Sequence, residues 1–443
     1  MIYPTFKLRN ITLALALVTP CVAQATNGMF MIGHGTKIQS MGGVSVGGTV
    51  DALSGAQNPA TIAVFDQLQA DVSMDIFMPN AFGTLEYDVS NAQPIALKSQ
   101  ADMFAMPAMA GAMKFKKKIY VGFSAVPAGG GGTRYDTNIY NYINNPEDPN
   151  VDKTLGVMLM IMQMNPTVAY KINKHHAVGG SLVIGVQSFR AYGLDYFSNF
   201  TQTFVDSGGT QDPAGLTNNG NDFSQGAGMR LGWLGTFFDK KLTVGVAGTT
   251  KVYMSKFNHY RDLFAENGDF DTPANFGVGF SYKPIDALTV ALDVTETLYE
   301  GVKAVSNRGA QPNAGGAPYF VDEETNALGK DEGMGFGWEN QTVYKLGLAW
   351  KADDQWTLRG GWNYGKSPIP EETGAVLFNI LAPAVVQHHI TMGASYQAAR
   401  NHEINIGYVH GFEFKQNGPT YLGEVGQIGM SIDTVSMGYS FKF

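Results

Sequence analysis

Apolar and polar residues alternate along several stretches of this chain. Over 435–443 every second residue is large and apolar, from Val435 to Phe443, and Ser, Gly or Lys stands between them. Over 67–76 Gln, Asp and Ser alternate in the same way with Leu, Ala, Val, Met and Ile. A period of two residues is typical of a β-strand with one apolar face. The pattern therefore predicts an all-β protein.

Fourteen such segments can be recognised. They are 67–78, 103–115, 119–127, 163–173, 177–192, 226–237, 241–255, 273–283, 287–300, 340–351, 355–366, 387–398, 402–412 and 432–443. A soluble β-sandwich alternates too, but segments of about 10 residues suit tilted strands that cross a membrane. Aromatic residues at segment ends, such as Trp350, Trp356, Tyr364 and Tyr396, fit a girdle at the lipid headgroups.

The connections between these segments alternate between short and long. Turns such as 116–118 and 284–286 are tight, whereas 128–162 and 301–339 are long. This regular alternation predicts a transmembrane up-and-down antiparallel β-barrel of about 14 strands. An even strand number places both ends of the barrel on the short-turn side, which is periplasmic.

The first 25 residues have the features of a secretory signal peptide. Lys7 and Arg9 precede an apolar core, and Ala23-Gln24-Ala25 fits a cleavage site, so that the mature chain would begin at Thr26. Cys21, the single cysteine, suggests a lipoprotein as the alternative, although Pro20 before it suits lipid attachment poorly. Cleavage after Ala25 would leave no cysteine for a disulfide or a thiolate site.

The segment 26–66 is rich in Gly, Ala and Ser and has few bulky side chains to build a core of its own. A barrel of about 14 strands has a lumen wide enough to hold such a segment. We therefore predict three parts: a signal peptide at 1–25, an N-terminal plug at 26–66 and the barrel at 67–443. The alternative for 26–66 is a disordered periplasmic tail.

Composition and charge narrow the functional classes. The chain has 54 Gly, 27 Phe and 20 Tyr but only 15% charged residues, and its formal net charge is −8. Beyond the triplet 116–118 it has no basic cluster, which argues against a nucleic-acid partner. No apolar run of about 18 residues follows the N-terminal segment, so a bundle of transmembrane helices is excluded.

Several motifs together resemble the FadL/TodX family of outer-membrane transporters for hydrophobic compounds, and the resemblance extends over nearly the whole mature chain. They are Ser54-Gly55-Ala56-Gln57-Asn58-Pro59-Ala60, the run TPANFGVG at 272–279, the run WTLRGGWNY at 356–364 with SPIP at 367–370, and HHITMG at 388–393. The resemblance implies an N-terminal hatch that contains Asn58, Pro59 and Ala60. It also implies ligand capture at extracellular loops and lateral release through a kink in the third strand.

Two further features bear on the implied route. Pro127 lacks a backbone donor and Gly129, Gly130, Gly131 and Gly132 have no side chains, so strand pairing is expected to fail there. Residues 150–164 place Leu155, Met158, Leu159 and Met162 at helical spacing within a long loop. This predicted helix either packs on the barrel rim or forms a Met-rich capture surface for apolar ligands.

Candidate ligand contacts follow from strand parity and from the resemblance. Lys345 and Arg359 fall on the polar parity of their strands and are expected to point into the lumen, where Phe30 of the N-terminal segment is a further candidate. The family's carboxylate-binding arginine lies in a region similar to Ser188-Phe189-Arg190. Its partner lysine is replaced here by Glu339-Asn340-Gln341, which weakens the case for a fatty-acid headgroup specifically.

No catalytic or metal site is predicted, and no cofactor. Gly43-Val44-Ser45-Val46-Gly47 matches a nucleophile motif but lacks the flanking strand and helix. The pairs His175-His176 and His388-His389 cannot chelate one ion, because adjacent strand residues point to opposite faces.

The leading hypothesis is a monomeric outer-membrane channel, in contact with membrane lipid, that takes up hydrophobic compounds passively. Long-chain fatty acids come first among its expected substrates and neutral or aromatic hydrocarbons second. An outer-membrane lipase and an open porin or adhesin are the rivals.

Overall fold

The computed structural model describes residues 27–85, 94–140, 153–309, 326–371, 375–419 and 425–443. The predicted signal peptide lies outside these ranges. Within them the chain forms fourteen long strands: β1 (Gln69–Leu85), β2 (Phe104–Lys116), β3 (Ile119–Tyr135), β4 (Leu155–Lys171), β5 (His176–Tyr192), β6 (Asp222–Phe237), β7 (Leu242–Thr249), β8 (Asn275–Ile285), β9 (Leu288–Thr297), β10 (Gln341–Lys351), β11 (Trp356–Gly365), β12 (His388–Ala399), β13 (His402–Pro419) and β14 (Val425–Lys442).

Each strand pairs antiparallel with the strands before and after it in sequence, and β14 pairs with β1. The sheet is therefore closed, and the predicted up-and-down barrel of fourteen strands is confirmed. Two short additional strands, Ile95–Lys98 and Tyr253–Met254, pair with β1 and β6 on the long-loop side. Both ends of the barrel, at Gln69 and Lys442, lie on the side of the short turns.

The outer face of the barrel is apolar and the inner face is largely polar, the reverse of the arrangement in a soluble protein. In β1, Asp71 and Asp75 are buried, whereas Val72 and Met74 between them are 49% and 42% exposed. Every strand contributes large exposed apolar side chains to the outer face, and the buried inner face carries many polar ones. An apolar outer face of this kind is suited to contact with the hydrocarbon core of a membrane. None of the helices among the described residues is long and apolar enough to cross a membrane.

On the short-turn side the strands end close to the predicted positions. On the long-loop side several strands extend beyond their predicted ends. The helix predicted at 150–164 is wrong, because from Leu155 onward this stretch is the outer half of β4. The side chains of Leu155 and Leu159 are buried inside the barrel, while Met158 and Met162 lie on the opposite face. Both faces are apolar here, one against the interior and one toward lipid, so the period of two that marks a strand is missing from the sequence.

The third strand also continues beyond its predicted end at residue 127. Its glycine run stays paired with β4, from Gly129 opposite Ile161 to Tyr135 opposite Leu155, after a register shift between Pro127 and Gly129. Pairing with β2, in contrast, ends at Ala125 opposite Met109. The expected failure of pairing therefore occurs on one edge of β3 only.

The N-terminal segment, residues 27–66, contains one α-helical turn and two 3-10 helices, Thr36–Gln39, Ala52–Ala56 and Pro59–Val64. Its polar contacts reach inward-facing residues of strands on several sides of the closed sheet: Asp71 and Asp75 of β1, Arg230 of β6, Asp293 of β9, Lys345 of β10, Thr391 of β12, Glu403 of β13 and Ser440 of β14. Other short helical turns lie in the outer loops, at Asp195–Phe200, Gln202–Asp206, Asn258–Tyr260, Ala265–Gly268, Tyr299–Gly301, Lys303–Ser306 and Ala375–Asn379.

Glycines in the wall let the backbone of this segment approach closely. A Cβ atom added at Gly245 of β7 would lie 1.9 Å from the Val46 carbonyl oxygen, and one added at Gly279 of β8 would lie 2.3 Å from the Gly47 nitrogen. Both positions face inward. Any side chain there would have to push the segment away from the wall.

We expect Gly245→Val to loosen the N-terminal segment without preventing barrel assembly. Overpacking of this kind costs about 1–3 kcal/mol, and the new methyl groups would meet backbone rather than a movable side chain. Limited proteolysis of the purified protein should then cut within 27–66 faster than in wild type. Gly248→Val is the matched control, because the nearest atoms to its Cβ would be 3.6 Å away. Equal cleavage of both variants would contradict the close packing.

Candidate functional site

The first residues of the N-terminal segment form a short tail that pairs with the kinked part of β3. The Met31 amide donates to the Ala128 carbonyl at 3.3 Å, and the Gly130 amide donates to the Met29 carbonyl at 2.9 Å. The Tyr299 hydroxyl holds the same tail from an outer loop, since it accepts from the Met29 amide and donates to the Asn27 carbonyl. The tail, residues 27–31, is thus fixed by backbone hydrogen bonds at the position where β3 no longer pairs with β2.

The edge between β2 and β3 is open over several residues. Ladder pairing stops at Ala125, and the next backbone bond across this edge runs from the Gln100 amide to the Arg134 carbonyl. Among the described residues, the tail takes up part of the free edge of β3 instead, through Ala128 and Gly130. We call the stretch between Ala125 and Arg134 the lateral gap.

An apolar cavity of about 40 Å³ borders the lateral gap on the outer side of the tail. Its lining includes Met29 of the tail, Gly130 and Gly131 of β3, Leu159 of β4, and Phe264 and Trp338 of the outer loops. All of its described lining residues are apolar or glycine. A Cβ atom added at Gly131 would meet nothing within 4 Å, so this glycine faces open space.

Aromatic side chains from β5 and from the outer loops pack together beside this cavity. The ring of Phe189 contacts those of Tyr260 and Phe264 edge-on at centroid distances of 4.8 and 4.6 Å, and Phe264 contacts Phe270 at 4.9 Å. Edge-to-face contacts of this kind stabilise aromatic clusters beyond their buried area. The apolar cavity is therefore bordered by a packed aromatic cluster.

A second cavity, of about 100 Å³, lies on the other side of the tail; its lining combines apolar residues with polar and charged ones, and we call it the polar cavity. Phe30 and Met31 of the tail belong to its lining, and so do Arg230, Lys345 and His34. Phe30 also stacks on Tyr299, with ring centroids 6.1 Å apart. The tail thus separates an apolar cavity from a polar one.

A third cavity, of about 410 Å³, lies at the short-turn end. The turn residues Lys240 and Lys241 line it, as does Arg359, whose guanidinium donates to the Ser395 hydroxyl. The predicted inward direction of Arg359 and Lys345 is therefore confirmed. The two side chains lie in different cavities.

A cluster of charged groups around Lys37 and the single carboxylate of Asp293 anchor the N-terminal segment below the tail. The Lys37 ammonium lies 3.0 Å from Glu403, 3.4 Å from Asp71 and 3.9 Å from Asp51, and all four groups are largely buried. The Asp293 carboxylate accepts from the amides of Ser45, Val46 and Gly47 at 2.7–3.2 Å. A carboxylate that accepts several amide bonds is a strong anchor for a glycine-rich loop.

The predicted hatch motif docks on the wall through backbone contacts. The Asn58 side chain caps the helix Pro59–Val64 by accepting from the Ala60 amide, and it donates to the carbonyls of Val46 and Trp233. Proline at the first position suits the start of such a turn. A Cβ atom at Gly232 would lie 2.1 Å from the Asn58 Oδ1 atom.

Arg190, the predicted carboxylate ligand, is not brought to any of these cavities. It shares the face of β5 with the exposed Leu182 and Val186, opposite the buried Gln187 and Phe189. Its guanidinium lies 4.3 Å above the ring of Tyr192. Its role toward a ligand stays a prediction, which the position of the side chain does not favour. Leu159, in contrast, lines the apolar cavity.

The features that suggested enzymatic chemistry are structural. The Ser45 hydroxyl donates to the Gln57 side chain, and the residue occupies the loop that Asp293 holds. His176 stacks on Trp233, and His389 is fully buried. Among the described residues there is no group of three or more His, Cys, Asp or Glu side chains arranged to hold a metal ion.

Arg230 and His34 are among the cavity residues that sequence reasoning missed. Arg230 has a signal in the pattern, because its neighbours Met229 and Leu231 are apolar and exposed, so the same parity rule that found Lys345 places Arg230 inward. His34 lies in the glycine-rich segment, where no periodicity indicates direction.

Comparisons with known proteins agree with this geometry. The sequence profile of the family described as outer membrane protein transport protein (OMPP1/FadL/TodX) matches residues 22–420. No curated protein sequence matches the chain.

Solved structures with the same fold include the toluene transporter TodX of Pseudomonas putida, with 16% identity, 93% of this chain and 99% of that chain covered, and a TM-score of 0.67. The toluene transporter TbuX of Ralstonia pickettii has 17% identity, covers 93% and 98%, and has a TM-score of 0.61. A FadL homologue of Pseudomonas aeruginosa has 14% identity, covers 94% and 100%, and has a TM-score of 0.65.

At these identities the solved structures show the fold alone, while the family profile extends over most of the chain. The chain is therefore a bacterial outer-membrane β-barrel transport protein that belongs to the OMPP1/FadL/TodX family of channels for hydrophobic compounds.

Proposed function

We propose that this protein takes up hydrophobic compounds passively across the outer membrane, with long-chain fatty acids as its leading substrates. The observation that carries the proposal is the apolar cavity beside Gly131, which borders the lateral gap. An alkyl chain buried there gains about 0.8 kcal/mol per methylene group. No reaction is involved, because the compound only moves between apolar environments.

The proposed route enters from the outer loops and leaves sideways. A compound captured among the aromatic side chains around Phe264 moves into the apolar cavity and then passes through the lateral gap into the membrane. The glycines of β3 support this route, since Gly129 to Gly132 place no side chains in the gap while pairing with β4 keeps the barrel closed. An apolar compound that leaves sideways does not have to pass through the polar cavity below the tail.

Neutral or aromatic hydrocarbons are the second candidate substrates. The apolar cavity has no described charged residue in its lining, so it offers no charged partner for a carboxylate. Toluene or a similar aromatic hydrocarbon needs no charged partner. The two candidates share the route and differ only in whether a polar headgroup must be accommodated.

We further propose that the N-terminal segment acts as the plug of the barrel. Its contacts with opposite strands, from Asp71 of β1 to Asp293 of β9, support a position across the lumen. A plug would block polar solutes and would leave the lateral gap as the way out. An open porin would lack this segment in its lumen.

Filling the open space beside Gly131 should slow uptake. Gly131→Val places a side chain in the apolar cavity at the gap, and we expect uptake of labelled oleate by intact cells to fall several-fold with an unchanged amount of assembled barrel. Gly111→Val is the matched control, because this β2 glycine faces the outer surface and its nearest contact would be 3.8 Å away. Wild-type uptake by the Gly131 variant would rule out this cavity as part of the route.

Removing part of the plug should open the barrel to ions. Deletion of 26–50, with the signal peptide kept, takes away Lys37, the loop held by Asp293 and the tail. We expect the conductance in planar bilayers to rise clearly above that of wild type, because the deletion removes the contacts of the segment with β9, β10, β12 and β13 and leaves only its residues 51–66. Unchanged conductance would contradict the plug and favour a segment that lies outside the lumen.

A further inference from the structure

Two neighbouring turns at the periplasmic end of the barrel carry a cluster of lysines. The end of β2 and the turn after it contribute the lysine triplet 116–118, and the turn from β4 to β5 contributes Lys174. The two turns are joined, because the Lys171 amide donates to the Lys118 carbonyl at 2.8 Å and the Lys118 ammonium donates to the Ile172 carbonyl at 3.0 Å. The triplet and Lys174 are exposed, and we call these four lysines the basic patch.

The basic patch has no acidic counterpart. None of its four ammonium groups forms an ion pair in the part of the chain that the structure describes. On the adjoining wall Asp66 is already engaged, since it accepts from Lys114 at 2.8 Å and from the Tyr120 hydroxyl at 3.1 Å. Lys351 in a later short turn, in contrast, pairs with Asp354 at 2.8 Å. In a chain with a formal net charge of −8, the patch is therefore a local excess of positive charge.

Aromatic side chains on the outer face lie directly beside the basic patch. Phe115 and Tyr170 are the last outward-facing residues of β2 and β4, and they are 60% and 44% exposed. The Lys116 ammonium lies 5.5 Å from the centre of the Phe115 ring. The Lys118 ammonium lies 5.8 Å from the centre of the Tyr170 ring. Because aromatic rings at strand ends mark the boundary between hydrocarbon and headgroups, these ammonium groups lie at the level of the headgroups.

The chemistry of lysine suits a lipid headgroup at this level. Its charge is carried on a flexible stem, so the methylene groups can stay against apolar surface while the ammonium reaches outward. The ammonium donates charge-assisted hydrogen bonds to phosphate oxygens. Clusters of about four to eight basic residues beside a membrane attract anionic lipid, and each residue strengthens binding roughly fivefold. A zwitterionic headgroup brings an ammonium group of its own and gains less.

We propose that the basic patch binds anionic phospholipid, of the phosphatidylglycerol type, in the periplasmic leaflet of the outer membrane. The lipid phosphate accepts hydrogen bonds from the ammonium groups of the patch. The acyl chains lie along the apolar outer face, where Val168 of β4 and Val178 of β5 are 55% and 38% exposed. The patch is continuous with this lipid-facing surface, which favours a lipid over a soluble anion or an anionic cell-wall polymer.

The basic patch lies on the same strands as the lateral gap. β3 pairs with β2 from Ile119, next to the patch, to Ala125, where the gap begins. These residues are about 20 Å apart along the strand. A phospholipid bound at the patch therefore borders the membrane region into which the proposed route leads. The proposal stands apart from that route, because it concerns only the outer face of the barrel.

Lipid retention tests the proposal. Purified protein is mixed with equal amounts of phosphatidylglycerol and phosphatidylethanolamine, and native mass spectrometry counts the lipids that stay bound. We expect wild type to retain mainly phosphatidylglycerol. Removal of the four charges should lower the ratio of the two bound lipids at least about fivefold, since each lysine contributes about that factor. The patch variant combines Lys116→Gln, Lys117→Gln, Lys118→Gln and Lys174→Gln.

The matched control removes the same charge from the next three short turns. It combines Lys240→Gln, Lys241→Gln, Lys283→Gln and Lys351→Gln. The first three of these lysines line the cavity at the short-turn end, and the fourth has its own acidic partner. We expect the lipid ratio of the control to stay within about twofold of wild type, because these positions do not contribute to the patch. Equal losses in both variants, or a wild type without preference, would overturn the proposal.

A second measurement leaves the basic patch unchanged. Trp233 has the outward parity of β6, and its ring stacks on His176, two residues after Lys174, with centroids 5.7 Å apart. In phosphatidylethanolamine vesicles, a small fraction of brominated phosphatidylglycerol should quench Trp233 more than the same fraction of brominated phosphatidylethanolamine. Subtraction of the Trp233→Phe spectrum isolates this signal. High salt should abolish the difference, because it screens the charges. Equal quenching by both lipids at low salt would contradict a bound anionic phospholipid.

Discussion

The polar inner face of the barrel must find hydrogen-bond partners, and the N-terminal segment supplies them. Buried polar groups without partners cost several kcal/mol each in a medium that excludes water. Asp293 therefore holds the backbone at Ser45–Gly47, and Asp71 and Glu403 hold Lys37. A segment with no core of its own thus becomes ordered because the barrel wall provides charges on several sides, and glycines such as Gly245 let it approach.

The same segment organises the interior into compartments. Its tail uses backbone bonds to the free edge of β3, where glycines prevent side chains from filling the space and where β2 no longer pairs. Above the tail the lining is apolar and aromatic, and below it the lining includes two cations and a histidine. Any movement of the tail would therefore alter the lateral gap and connect the two cavities at once.

The sequence was sufficient to predict the barrel, because most strands expose one face to lipid and turn a polar one inward. It failed over 155–162, where both faces are apolar and the large apolar residues at 155, 158, 159 and 162 have the spacing of a helix. Parity placed Lys345 and Arg359 correctly, whereas Arg190, which was selected by the resemblance to the family, lies on the outer face. The cavity with Arg230 and His34 could not be predicted, because it depends on how an aperiodic segment packs against strands distant in sequence.

The most direct test of the account is to locate a bound hydrophobic compound by anomalous scattering. Crystals of the protein grown with a fatty acid brominated at its methyl end should show bromine beside Gly131, within the apolar cavity and next to the lateral gap. Bromine only on the outer surface of the barrel, or within the cavity at the short-turn end near Lys240, would contradict a route that leads through this cavity.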